Sequence, residues 1–364
     1  MDIDIIIAED VNPAQLAELA VEAEKLGIRA IWSSNYHQNW DAFLTLAPAA
    51  LATSKILLGP LAVSPWEMHP LKITNSLLTL NEMANGRAMV AISGGGGVLG
   101  ACGWKIGKNT GSTESWPFKD ELSGARYPER RVRGVQESIE LIDQARTGKL
   151  VYSFDGEIFQ VTRPFQMDYA KSDGPLIYGC CSGPMMVRMG ARVADGIQVS
   201  DFIPEMMPGA MKNVRAGLAK REQPVDDFRI GNFWAWHIKK DKDVSMYEAR
   251  RELIWRGGIV AKIPHDIAPH VNGDEEVQLV IDNWDNFFKA FWTRSGKIDG
   301  VSETIVNNLI AGMSSAGDEN DIDRELERFK AFASSGLTEL SLRLFDDPMD
   351  SLQMLGKHVL PALR

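Results

Sequence analysis

Residues 56–97 read ILLGPLAVSPWEMHPLKITNSLLTLNEMANGRAMVAISGGGG. Three rhythms follow one another in this stretch. Ile56–Ser64 is an apolar run of strand length, and Leu71–Ala84 places leucine and isoleucine at helical spacing before Gly86, a natural stop. Ala88–Ile92 returns to strand composition and ends in Ser93-Gly94-Gly95-Gly96-Gly97. A strand, a helix and a second strand separated by short turns form the repeating unit of a parallel α/β sheet.

The same alternation extends in both directions. Asp2–Ala8 reads as a strand, and Asn12-Pro13 supplies an N-cap and first turn for a helix through Lys25 that Gly27 stops. Ala30–Ser34 reads as a strand and Asp41–Thr53 as a helix. From Ser93 to Arg130 the rhythm fails, and a stretch that long without a period points to a functional loop. It resumes with a helix at Arg131–Ala145 and a hairpin in Leu150–Val161 turning at Asp155-Gly156. Strands follow at Leu176–Gly179, Gly196–Val199, Arg229–His237 and Glu339–Leu344, with helices at Met185–Val193, Pro208–Lys220, Glu303–Met313, Ile322–Ser334 and Leu352–Ala362.

About eight βα units predict a (β/α)8 TIM barrel, in the α/β class, with insertions after strands 4 and 7. We expect one domain over residues 1–364, with a lid-like insertion at about 96–130 and a helical insertion at about 255–300. An open dinucleotide-binding sheet is disfavoured, because the first βα turn reads AEDVNP and lacks the glycine fingerprint. Forty-nine acidic against 39 basic residues give a net charge of −10, which argues against nucleic acid or an anionic membrane as partner. No apolar run reaches the roughly 18 residues of a membrane span, and the acidic start MDIDIIIAED is unlike a signal peptide, so we expect a cytoplasmic protein. The six histidines show no zinc spacing, no metal site is expected, and Cys102, Cys180 and Cys181 are expected as free thiols.

In a barrel the chemistry lies at the C-terminal ends of the strands, so each βα junction is a wall of one pocket. The second junction offers Tyr36 and His37 as proton-transfer candidates, although a surface histidine is the commoner fate. The third offers Leu61, Ala62 and Ser64, and the fourth Gly94 and Gly95, which allow close backbone approach. The fifth, Cys180-Cys181-Ser182-Gly183-Pro184, presents backbone N–H groups at a helix start, either a phosphate cradle or a plain serine cap. Later junctions supply Ser200, Asp201, Ser341 and Arg343, while Trp234 and Trp236 point one way, into the barrel or into the helix layer. Neither a carboxylate pair nor a Ser-His-Asp order stands out, which weakens a hydrolase reading.

Several of these segments resemble the bacterial luciferase-like monooxygenase superfamily. The resemblance lies in Asp41-Ala42-Phe43, Ala47 to Thr53, Ile56-Leu57-Leu58-Gly59, His69-Pro70, Leu77 to Leu80 and Asn85-Gly86-Arg87. Arg126-Tyr127 followed by Glu137, and Ala194-Asp195-Gly196, resemble its later motifs. It covers most of the chain and is poorest at 98–125 and 255–300.

The resemblance implies a barrel binding reduced FMN or coenzyme F420 at its C-terminal face. A bulge with a non-prolyl cis peptide near Leu61-Ala62 would support the ring together with Ser64, while Gly94 and Gly95 let it approach. Ser182 and Gly183 would hold the phosphate, with Tyr127, Arg130 and Arg131 toward the cofactor tail. F420 enzymes of the superfamily commonly show Asp-His at the second junction and a glutamate after the fourth strand. Here the positions read Asn35-Tyr36, with His37 displaced by one, and glycines through Gly97. The main expectation is therefore a monooxygenase using reduced FMN and O2 on a small organic substrate, supplied by a separate flavin reductase. Tyr36 and His37 would face the ring, and Trp104 and Trp116 of the lid would shield it. The alternatives are F420-dependent hydride transfer, similar to methylene-tetrahydromethanopterin reductase, and a non-catalytic ligand-binding barrel. A homo-oligomer is expected by analogy.

Overall fold

The computed structural model describes residues 1–8, 11–102 and 130–363. Its strands are β1 (Asp2–Ile7), β2 (Ala30–Ser34), β3 (Leu57–Val63), β4 (Met89–Ile92), a short pair β5 (Phe154–Asp155) and β6 (Gln160–Val161), then β7 (Leu176–Cys180), β8 (Gly196–Ser200), β9 (Arg229–Trp236) and β10 (Glu339–Leu344). All but β5 and β6 close into one parallel barrel in the order β1-β10-β9-β8-β7-β4-β3-β2, the TIM barrel expected. Helices α1 (Pro13–Leu26), α2 (Ala47–Ala52), α3 (Pro70–Met83), α4 (Gly96–Cys102), α5 (Arg131–Arg146), α6 (Pro184–Val193), α7 (Met207–Leu218) and α8 (Lys242–Glu252) come next in chain order, followed by further helices through residue 363. Among the described residues no helix is long and apolar enough to cross a membrane.

Local chemistry explains most boundaries. Asn12 caps α1, accepting from the Ala14 and Gln15 backbone while Gln15 returns a bond to the Asn12 N–H, and Gly27 ends the helix at φ +79°. The helix expected at Asp41–Thr53 is shorter: Leu44–Leu46 is a 3-10 turn and only Ala47–Ala52 is α-helical. Pro48 has no N–H to give Leu44, so an α-helix begun at Asp41 would break there. The hairpin also turns later than expected. Asp155 pairs with Gln160, and Glu137 accepts from the Glu157, Ile158 and Phe159 backbone N–H groups inside the loop.

Alternation along the strands sorts the side chains. On β10, Leu340, Leu342 and Leu344 join the core beneath the helices, while Glu339, Ser341 and Arg343 take the opposite face, toward the barrel axis. Trp234 and Trp236 belong to the outer layer and pack on Phe332 and Phe329 at ring distances of 5.3 and 6.0 Å. The interior holds Ile6, Trp32, Leu61, Met89, Tyr178 and Phe233, with Trp32 edge-on to Tyr178 at 5.5 Å. Gly231 is bare because a Cβ there would fall 2.3 Å from the Gln198 amide oxygen.

The floor of the barrel is ionic. Arg29 donates to both Asp4 oxygens at 2.8 and 2.5 Å, Trp32 adds an indole N–H at 3.0 Å, and Glu339 lies between Arg29 (3.3 Å) and Arg229 (3.0 Å). Residues 242–313, inserted between β9 and β10, build a second core around Leu253, Ile267, Trp284, Phe287 and Leu309.

Several motifs behind the family resemblance are scaffold. Arg87 ties the Ala50, Thr53 and Ile56 carbonyls together, and Asp195 pairs with Arg146 at 2.5 Å while accepting from the Ile177 N–H.

Candidate active site at the barrel mouth

The register of β3 shifts against β4 between Leu61 and Val63, and the Leu61-Ala62 peptide bond is cis. This bulge is held from the side. Asn35 donates its amide to the Ala62 carbonyl (3.0 Å) and to Glu67 (2.6 Å), and Glu67 also accepts from the Ser64 N–H (2.7 Å). Burial pushes the Glu67 carboxyl above its usual range, against the lowering effect of these two donors. Gly95, at φ +71°, rests on the same segment: a Cβ there would sit 2.5 Å from the Ser64 hydroxyl. The third and fourth junctions are therefore one surface.

Gly94 extends it toward the fifth junction, since a Cβ there would meet Arg131 and Met186 at 3.8 Å. Helix α6 begins beside it. Gly183 occupies the N-cap with ordinary extended backbone (φ −93°, ψ 157°) and no side chain caps the helix, so the simple serine cap is not what forms. Ser182 and Gly183 are exposed, and no atom lies within 4 Å of a Cβ built at Gly183. The first N–H groups of a helix, with a hydroxyl and open space before them, favour an anion. Of the two arginines considered for the tail, Arg131 borders Gly94, whereas Arg130 forms an ion pair with Glu157.

The other side of the mouth is cationic. Arg343 lies over the Phe233 ring at 5.7 Å, and among the described residues its guanidinium has neither an ion pair nor a hydrogen bond. Burial would lower its pKa, but the carboxylates of Asp201 and Glu252 help to raise it. Arg256, only 1% exposed, contacts Asp201 through Nη1 at 2.7 Å; its Nε and Nη2 are buried without a partner among the described residues. Ser200 donates to the second Asp201 oxygen at 2.8 Å. The vicinal cysteines are free and diverge. Cys181 is buried and contacts the Met186 carbonyl, while Cys180 faces the mouth, its thiol pushed up to about 12 by burial. Cys102 is free as well, and exposed.

The sequence-derived residues thus gather unevenly. Leu61, Ala62, Ser64, Gly94 and Gly95 come together where β3 meets β4, with Leu61, Ser64 and Gly95 buried, and Met186 links Gly94 to α6, before which Ser182 and Gly183 are exposed. Tyr36 is 44% exposed, and His37 is exposed as well. Tyr127, Trp104 and Trp116 lie outside the described residues. Junction logic named Asp201 and Arg343 without giving them roles, and it missed Glu67 and Arg256. The serine-to-glutamate spacing at Ser64 and Glu67 resembles a helix-start signature and could have revealed the first. Arg256 reaches the mouth from the helical insertion, and no local signal marks it.

The mouth can hold a flat cofactor against the bulge, an anionic tail at α6 and a charged group at Arg343. Over its full length the chain is 26% identical to 5,10-methylenetetrahydromethanopterin reductase of Archaeoglobus fulgidus, covering 100% of both chains. It is 28% identical to the F420-dependent glucose-6-phosphate dehydrogenase of Nakamurella multipartita, over 67% of this chain and 69% of that one. The fold is similar to that of the coenzyme F420 dependent tetrahydromethanopterin reductase of Methanopyrus kandleri, with a TM-score of 0.73, 19% identity and full coverage of both chains. These relatives, named as reductases and F420-dependent dehydrogenases, overturn the expectation of an FMN- and O2-using monooxygenase, and they lend no support to a separate flavin reductase. Residues 4–339 match the luciferase-like monooxygenase family, and the chain belongs to it.

Proposed function

We propose that the protein is a coenzyme F420-dependent oxidoreductase that moves a hydride between the deazaflavin and a small organic substrate. The observation that carries this reading is the end-to-end similarity to a methylenetetrahydromethanopterin reductase, joined by an F420-dependent dehydrogenase over two thirds of the chain. The residues present fit such a cofactor. An uncapped helix start with open space at Gly183 suits its phosphate, and the bulge closed by Asn35 and Glu67 offers a rigid floor for a ring. Leu61, Ala62, Ser64, Gly94 and Gly95 would hold the ring, and Ser182, Gly183 and Arg131 the charged tail, with Tyr127 a further candidate.

F420, when bound, supplies the carbon that gives or takes the hydride. The protein's share is positioning and charge. Asn35 and Glu67 fix the Ala62 carbonyl and the Ser64 N–H in one place, which preserves reactive geometry. Tyr36, at the rim, can hold or pass a proton at its hydroxyl. Leu44 and Leu51, both more than 70% exposed, support a homo-oligomer, which the sedimentation coefficient checks. To test the reading, reduced F420 and the protein are mixed under argon with small-molecule extracts. Substrate-dependent reoxidation without O2 is expected; an absolute requirement for O2, or no turnover of F420, contradicts it.

A further inference from the structure

Two guanidinium groups face the mouth with donors to spare. Arg256 uses Nη1 on Asp201 and leaves Nε and Nη2 buried and unpartnered among the described residues. Nε–H and Nη2–H are the two parallel donors of one guanidinium edge, the fork that grips a planar carboxylate. Buried donors of a charged group are costly to leave unmade, so this edge calls for an acceptor. Arg343 lies nearby: it covers the Phe233 ring at 5.7 Å, and the Phe233 carbonyl accepts from the N–H of Asp201, the partner of Arg256, at 3.1 Å.

The surrounding charges set the valence of that acceptor. Asp201 pairs with Arg256, Glu252 with Arg251 at 2.8 Å, and Asp346 with both Arg251 at 2.6 Å and Arg294 at 3.0 Å. Lys239 and Glu248 form a further pair at 3.0 Å. Among these residues four carboxylates face four cations, and Arg343 is a fifth cation with no ion pair among the described residues. A dianionic phosphate would overshoot it. A single carboxylate matches both the charge and the flat fork.

We infer that Arg256 and Arg343 form a subsite for a monoanionic carboxylate carried by the hydride-exchanging substrate. The assignment to substrate rests on the F420 reading above; the anion site itself does not. The cofactor tail has its own candidate place at Ser182 and Gly183, beside Gly94 and Arg131, on the side of the mouth built by the third to fifth junctions.

Benzoate is the probe, because its ring can meet Phe233 and its carboxylate the two arginines. Calorimetric titration of the wild-type protein should show saturable benzoate binding, with benzyl alcohol and inorganic phosphate each weaker by about tenfold or more. R343Q should weaken benzoate by about 30-fold and R256K, which keeps the charge facing Asp201 but loses the fork, by about tenfold. F420 affinity, measured by fluorescence in the same proteins, should stay within about threefold, since the cofactor tail is anchored elsewhere. Circular dichroism establishes that each variant is folded, and R343K, expected to retain part of the benzoate affinity, serves if R256K is not. Benzoate binding that ignores both substitutions, phosphate binding as tight as benzoate, or loss of F420 together with benzoate overturns the inference. If F420 binds and benzoate does not, the carboxylate site fails and the cofactor reading stands. If benzoate binds through both arginines and F420 does not bind, the site stands and the cofactor reading fails.

Discussion

The two ends of the barrel treat buried charge in opposite ways. At the floor, Asp4, Arg29, Glu339 and Arg229 each face an opposite charge within 3.3 Å, and Trp32 and Tyr178 add hydrogen bonds. At the mouth, Arg343 has no such partner among the described residues, Arg256 is half-satisfied, and the first turn of α6 has no side-chain cap. Charges that pair with one another specify structure, as at the floor, even though Arg229 Nε and one Glu339 oxygen there make no hydrogen bond; a charge such as Arg343, without an ion pair, is kept where a ligand completes it. Mutations at the two ends should therefore separate into losses of stability and losses of function.

The largest effect should come from the floor. Asp4→Ala leaves the Arg29 guanidinium buried beside a single shared carboxylate, and a broken buried pair typically costs about 3–5 kcal/mol. The urea midpoint should fall accordingly, whereas F420 affinity of the fraction that remains folded should not. A floor variant that weakens F420 binding without destabilising the fold would erase the distinction between the ends.

Glu67→Ala removes the acceptor that gathers Asn35 and the Ser64 N–H. We expect turnover to fall about 100-fold through misplacement of the bulge, with much less change in the thermal midpoint than Asp4→Ala produces. Turnover within about threefold of wild type, in steady-state assays, would mean that the bulge holds its shape without this carboxyl.

Gly183→Asp sharpens the comparison further, because it should move stability and function in opposite directions. The position is extended and open, so aspartate fits and caps α6, adding a few tenths of a kcal/mol. The same charge repels a phosphate, so F420 binding should weaken about tenfold.

The smallest effect belongs to Glu24, which latches α1 to the loop entering β3. Burial pushes its carboxyl up, but the backbone N–H groups of Ile56, Lys55 and Ser54 outweigh this and hold it down to about 2. Its folded pKa lies below its unfolded value near 4.5, so its contribution is complete above pH 4.5 and fades as pH falls toward 2. Because the site is partly open to solvent, Glu24→Gln should cost only about 1 kcal/mol at pH 7, a difference from wild type that narrows below pH 4.5 in urea titrations.

Much of the barrel was legible because its signals are local. Asn12 and Gly27 mark the ends of α1, and the alternation of Glu339–Leu344 shows which residues face inward. The segment at 41–53 differs because Pro48 decides where the α-helix begins, and the hairpin because Glu137, on the preceding helix α5, shapes its loop. The junction rule named the residues of the third to fifth junctions, from Ser64 to Gly183, that the proposal assigns to the cofactor. It said nothing of Glu67's bonds to Asn35 and Ser64, nor of Arg256, because those depend on which strands and insertions become neighbours. The cofactor expectation leaned on two positions, Asn35-Tyr36 and the glycines before Val98, and took the missing pair as evidence about chemistry. Arg87, Asp195 and Glu137, which carry the family resemblance, hold elements together and do not distinguish one member's reaction from another's.

The most direct test of the hydride-transfer reading is a fluorescence titration of the purified protein with F420, run beside an identical titration with FMN. The account predicts saturable binding of F420, weakened about tenfold by G183D, and little or no binding of FMN. Tight binding of FMN with none of F420 would contradict it.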